Sequence, residues 1–184
     1  MDALAEGGAY CAAVVRDVAQ DEALRRAGAH PDRITTGTWR DLRRAITARA
    51  GSGECAVAAF AIGCHALLVA DTGFREAARP DLSAGTLAVS CCCDAGGQFS
   101  LVVLRDGRRV ADGGAPGRGF GVAESRRAQA GADFANVWEA VFTHDLELLC
   151  RVAGVRPTLA DLSGLARIAL VVRRAVADRI DEGT

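Results

Sequence analysis

The spacing of hydrophobic positions changes along this chain. Between residues 54 and 113 apolar and polar residues alternate with period two, and Gly-rich breaks cut the stretch into short runs. This predicts an antiparallel sheet of about five strands. They are Ala56 to Ile62, His65 to Asp71, Thr86 to Cys93, Phe99 to Arg105, and a short one around Arg109 to Ala111. Gly63-Cys64, Ala95-Gly96-Gly97 and Asp106-Gly107 read as the hairpin turns, Asp-Gly being the strongest of these signals. Phe74 to Leu82, broken by Pro80, reads as a short helix or irregular crossover. Such a sheet needs cover on at least one face.

On both flanks the reading turns helical. Ala3 to Val18 is rich in Ala and Val, and Gln20 to Ala27 reads as a short helix stopped at Gly28, with His30-Pro31 breaking the pattern beyond it. Thr38 with Asp41 three residues later predicts a capped helix carrying Trp39, Leu42, Ile46 and Ala50 inward and closing at Gly51. Arg40, Arg43, Arg44 and Arg49 fall on its other side, read as a solvated face. Residues 113–132 form a Gly-rich loop. A helix from Phe134 places Val137, Trp138, Val141, Phe142, Leu148, Leu149 and Val152 on an apolar stripe, with Gly154 just past its end and Pro157 beyond. Thr158 and Asp161 predict another cap, opening a last helix from Leu159 to Ile180 that is apolar on most of its circumference. So even an apolar surface is sandwiched in the fold or packed on another chain, which makes Leu165, Ile168 and Val172 interface candidates. The expected architecture is one α+β domain over residues 1–184. It runs as helices (1–52), a sheet (54–113), the loop, and C-terminal helices (133–181) packed with the first ones on the sheet.

Composition narrows the function classes. The 184 residues suit one domain, and 22 basic against 23 acidic residues leave a formal charge of -1. That balance gives no electrostatic footprint for nucleic acid or an anionic membrane. Every basic residue is Arg, so Schiff-base and phosphate-cradling lysine chemistry is excluded. Asp2 and Glu6 precede the first apolar run, which argues against a signal peptide. No apolar run is long enough for a helical span; Cys55 to Ala70 is interrupted at Gly63 and His65. The seven cysteines match no disulfide framework by spacing. The expectation is a cytoplasmic protein whose thiols serve as small hydrophobes.

The segments "VVRDVAQDEALRRAGA", "VAAFAIGCHALLVADTGF", "LSAGTLAVSCC", "LVVLRDGRRVADGG" and "ELLCRVAGVRPTLADL" resemble a family of uncharacterised actinobacterial domain proteins. In that family a helix ending in Leu-Arg-Arg precedes two strands. The second strand ends in a turn with Asn-Gly followed by an aromatic, here Thr72-Gly73-Phe74. Ser-Ala-Gly-Thr opens a third strand, and a helix, a Gly-Val-Arg turn and a last helix close the pattern. The resemblance runs from about Val14 to Leu165 and implies an α+β fold without an assigned activity, cofactor or catalytic residue. The chain departs from the pattern with Cys64-His65 in a turn that usually bears Trp. It departs again with Cys91-Cys92-Cys93 in a strand that usually runs into aromatic or Asn residues. Its loop at Gly113 to Gly121 also lacks the Pro- and aromatic-rich segment.

The candidate chemistry lies mostly in the sheet. In a strand Cys91 and Cys93 share one face and Cys92 takes the other. Three consecutive strand residues cannot together bind one tetrahedral zinc, and no CxxC pair supports a metal site, so no metal is expected. A nucleophilic cysteine needs a base and an orienting group. His65 beside Cys64, or His144 with Asp71 or Asp133 serving Cys91 or Cys93, are the pairings on offer. Gly117-Arg118-Gly119-Phe120-Gly121 lacks the Gly-Lys-Ser/Thr end of a phosphate loop, and reads as a loop with Arg118 and Phe120 as contacts. The leading expectation is a non-catalytic interaction or binding domain, without cofactor, acting with a partner protein or as a homo-oligomer. The alternatives are an accessory protein for a small molecule or peptide and a cysteine-dependent enzyme. Nucleic acid and membrane are not expected as partners.

Overall fold

The computed structural model describes residues 10–38, 41, 44, 48, 53–71, 79–93, 99–113, 145–158, 160–161 and 164–172. Its centre is a single eight-stranded sheet. The strands are β1 (Tyr10–Val15), β2 (Thr35–Gly37), β3 (Glu54–Ile62), β4 (His65–Asp71), β5 (Leu87–Cys93), β6 (Phe99–Arg105), β7 (Arg108–Gly113) and β8 (Ala166–Val172). They lie in the order β2-β8-β3-β4-β1-β5-β6-β7, and every described pairing is antiparallel. The α+β expectation holds in this form, with eight strands where about five were expected.

The period-two block folds as its alternation dictates. β3 and β4 close at Ile62↔His65, and Gly63 takes a φ of 59° in the two-residue turn. Asp106 and Gly107 both have positive φ, 49° and 74°, as the type I′ hairpin between β6 and β7 requires. Cys93 pairs with Phe99 across β5 and β6; the Ala95-Gly96-Gly97 turn lies outside the described residues.

Two expected helices are strands instead. Tyr10–Val15 is β1, between β4 and β5, with all six residues buried. Ala166–Val172 is β8, between β2 and β3. The physical reason is the same in both. A strand covered on both faces loses its polar alternation and reads as a continuous apolar run, which periodicity cannot tell from a buried helix. The β-branched Val14-Val15 and Ile168, Val171, Val172 carried the strand signal. The rest of the expected Ala3 to Val18 helix before Tyr10, and of the last helix after Val172, lies outside the described residues.

Helices cover the two faces. α1 (Gln20–Arg26) lies on one, with Ala23 and Leu24 fully buried against Ala13, Val57, Leu68 and Val171. It ends as expected at Gly28, whose φ is 99°; Gly28 N–H donates to Arg25 O and Ala29 N–H to Leu24 O. Residues 145–153, here α2, cover the other face. Leu146, Leu149, Cys150 and Ala153 recur at helical spacing and pack with Tyr10, Phe60, Leu67, Cys91 and Ile168. Gly154 closes α2 with a φ of 72°, Val155 N–H donating to Cys150 O. Both expected caps form: Thr38 N–H donates to Asp41 Oδ2 at 2.8 Å and Thr158 N–H to Asp161 Oδ2 at 2.7 Å. The latter bond holds the Asp161 carboxyl below the usual carboxylate range.

Cys11 and Cys92, directly opposed on β1 and β5 with Cα atoms 4.1 Å apart, form a disulfide. This corrects the expectation of free thiols throughout. Sequence spacing hid it because the bridge joins residues 81 apart, brought together only by strand pairing.

Candidate functional site

β1 carries a polar cluster at each end. The first is buried. Tyr10 pairs with Cys93 and Ala12 with Cys91 across β1 and β5, so both thiols flank the phenol on the face covered by α2. The Tyr10 hydroxyl donates to Asp145 Oδ2 at the start of α2. Asp145 is 9% exposed and Tyr10 2%. Burial first, then the Asp145 charge and its hydrogen bond, push the Tyr10 hydroxyl well above its ordinary value. Burial, with the Asp145 charge second, pushes the Cys91 thiol up as well, and burial raises Cys150 to about 11. A cysteine reacts as its thiolate, so Cys91 and Cys150 are held in the unreactive form. Cys91 and Cys93 do share a face as expected, with Cys92 on the other. That face is closed by the helix.

The second cluster lies at the other end of β1 and is open to solvent. Asp17 follows the strand in the left-handed region, with φ 52°, a conformation Asp tolerates better than most residues. The chain there is pinned from both sides. Arg16 N–H donates to Leu87 O at 2.9 Å and Thr86 Oγ1 donates to Arg16 O at 2.7 Å. On the β4 side, Asp17 N–H donates to His65 Nδ1 at 3.0 Å. The β3–β4 turn adds Cys64. Its Sγ is 3.5 Å from Asp17 Oδ1 and 3.6 Å from His65 Nδ1, and Asp17 Oδ1 is itself 3.5 Å from that nitrogen. Cys64 is the one exposed cysteine. The short turn folds Cys64 back over His65.

In a cysteine–histidine–aspartate triad the thiol and the carboxylate bond different ring nitrogens. Here the carboxylate approaches Nδ1, and the thiol lies beside the ring, 3.6 Å from Nδ1 and 3.7 Å from Nε2. The arrangement brings three ligand-type atoms together without the two-sided geometry of a relay.

The other candidates separate. Leu165 is 66% exposed before β8 and Val172 63% exposed at its end, but Ile168 between them is buried under α2. His144, Arg118, Phe120 and Asp133 lie outside the described residues. Asp145, next to His144 in the chain, carries the buried hydrogen bond. Asp17 was missed altogether, being 47 residues from Cys64.

No family model, curated protein or solved structure matches this chain. Among the described residues no helix is long and apolar enough to cross a membrane.

Proposed function

We propose that the protein is a non-catalytic interaction domain, engaged along the edge of its sheet, and that the partner is a second copy of the chain. The observation that carries this is the uneven cover of β8. β2 pairs only with Ala166 to Ile168, whereas β3 pairs with Arg167 to Val172 on the other side. Among the described strands, none lies outside Ala169 to Val172. Exposed Val172 lies on that half-edge. An uncovered strand edge is a template for a further strand. An all-antiparallel sheet extends itself when the same strand is placed against its copy by a twofold axis.

Both faces of the sheet carry buried apolar clusters, which supports an edge and not a face as the docking surface. Membership of the actinobacterial family that the segments resemble belongs to the same proposal. So does the cytoplasmic setting, which rested on the lack of a signal-peptide pattern; the Cys11–Cys92 bridge weighs against it, since disulfides persist mainly in oxidising compartments.

Light scattering after size exclusion tests the reading. The expected result is a dimer that Val172→Arg converts to monomer without loss of secondary structure. A monomer at every attainable concentration would sink it. A monomer that captures an extended peptide at β8 would move it to the peptide-binding alternative.

A further inference from the structure

Apart from the interface, we infer that Asp17, Cys64 and His65 form a three-donor site for a divalent transition-metal ion of zinc's kind. The donor types suit such an ion: a thiolate sulfur, an imidazole nitrogen and a carboxylate oxygen are the three ligand classes that zinc takes. The donor atoms all lie within 4.8 Å of one another.

The distances are of the size such a site needs. With zinc bond lengths of about 2.3 Å to sulfur and about 2.1 Å to nitrogen and oxygen, tetrahedral geometry separates sulfur from either other donor by about 3.6 Å, and nitrogen from oxygen by about 3.4 Å. The structure gives 3.5 Å for Sγ to Oδ1, 3.6 Å for Sγ to Nδ1 and 3.5 Å for Nδ1 to Oδ1. Three donors, two of them on exposed side chains, leave the fourth position to water or to a substrate oxygen, the pattern of an open site.

The same geometry states what loading requires. Nδ1 accepts a hydrogen from the Asp17 backbone N–H, so its lone pair faces Asp17; the ion takes that lone pair and this hydrogen bond is given up. Sγ is also 3.7 Å from Nε2, so the thiol lies beside the ring and turns away from it as the ion enters. Cys64 is exposed and in a turn, which leaves it room to rotate. The thiol loses its proton to solvent and sulfur bonds the ion, one proton leaving for each ion bound.

The test is titration of the intact chain with cobalt(II) chloride, followed by zinc chloride as competitor. The expected result is one cobalt per chain, with a thiolate-to-cobalt charge-transfer band and the strong visible bands of tetrahedral cobalt, both removed by zinc. Cys64→Ser abolishes the charge-transfer band. Asp17→Asn, which keeps a residue suited to the left-handed backbone, and His65→Ala each weaken binding by at least ~10-fold. Circular dichroism of each variant checks that the fold is kept. Three outcomes would overturn the site: no charge-transfer band at saturating cobalt, a band that survives Cys64→Ser, or an affinity untouched by Asp17→Asn in a folded variant.

Discussion

The two ends of β1 hold similar residue types in opposite surroundings. At one end Tyr10, Asp145 and the thiols of Cys91, Cys93 and Cys150 lie sealed between sheet and helix. At the other, Asp17, Cys64 and His65 meet in the open. The difference teaches that residue type does not assign chemistry here; solvent access does. Burial keeps Cys91 and Cys150 protonated, so the first group works as structure. The exposed group lies open to water.

The largest expected effect comes from the bridge that braces the sealed end. Cys11 lies next to Tyr10 but on the opposite face, and its disulfide closes 81 residues of chain. By the chain-entropy argument, opening such a loop costs about 4 kcal/mol. Reduction, or the Cys11→Ala, Cys92→Ala double variant, is therefore expected to lower the unfolding free energy by that order in denaturant titrations. A thiol count on unreduced, denatured protein is the direct check: five of the seven cysteines should react. Seven reactive thiols would mean that the sealed end is held by packing alone.

Next is the buried hydrogen bond. Tyr10→Phe removes the donor and leaves the Asp145 carboxylate buried without it. Losing a hydrogen bond to a buried charged acceptor costs about 1.5–3 kcal/mol. Asp145→Asn in the same background should recover part of the loss, because a neutral amide is cheaper to bury than a carboxylate. No recovery in the double variant would show that the charge is not what makes the site expensive.

The pH dependence separates the two ends further. Tyr10, Cys91 and Cys150 all have folded values raised above their ordinary ones. A raised acid binds its proton more tightly when folded. Its contribution is complete below the ordinary value and is lost as pH rises towards the folded one. For Cys150 the window runs from its ordinary 9.0 to about 11; Tyr10 and Cys91 extend the loss to higher pH. Each group is worth up to about 1.4 kcal/mol per pH unit within its window. Unfolding free energies measured upward from pH 9 should fall, and Cys150→Ala should make the fall shallower. A flat profile would mean that the thiols are not sealed.

How much of this was legible in the sequence follows from where the information sits. Asp106-Gly107, Gly63, Thr38 with Asp41, Thr158 with Asp161, Gly28 and Gly154 act over two to six residues, so local chemistry was enough to place them. β1 and β8 defeated the same approach because their neighbours, β4 and β5 or β2 and β3, are distant in the chain and cover both faces. Once both faces are apolar, alternation vanishes, and Ala-rich stretches look helical. The site split in the same way. Cys64 beside His65 was visible, and so was the shared face of Cys91 and Cys93. The partners that give each cluster its meaning, Asp17 and Asp145, arrive only through tertiary pairing.

The smallest expected effect sharpens the contrast. Cys64→Ser removes a sulfur from an exposed turn, a change usually within about 0.5 kcal/mol of neutral. Without metal its stability should therefore match the unsubstituted chain, in contrast to the losses at the Tyr10 end. With zinc the two proteins should part. An ion that binds only the folded chain stabilises it by about 2.7 kcal/mol at a concentration 100 times its Kd, and the Cys64→Ser variant should lack that gain. The sealed thiols cannot produce the same signature, because coordination requires a thiolate that α2 and the sheet do not let water reach. If zinc raises the stability of both proteins equally, the ion binds elsewhere and the open end of β1 is no more a ligand site than the closed one.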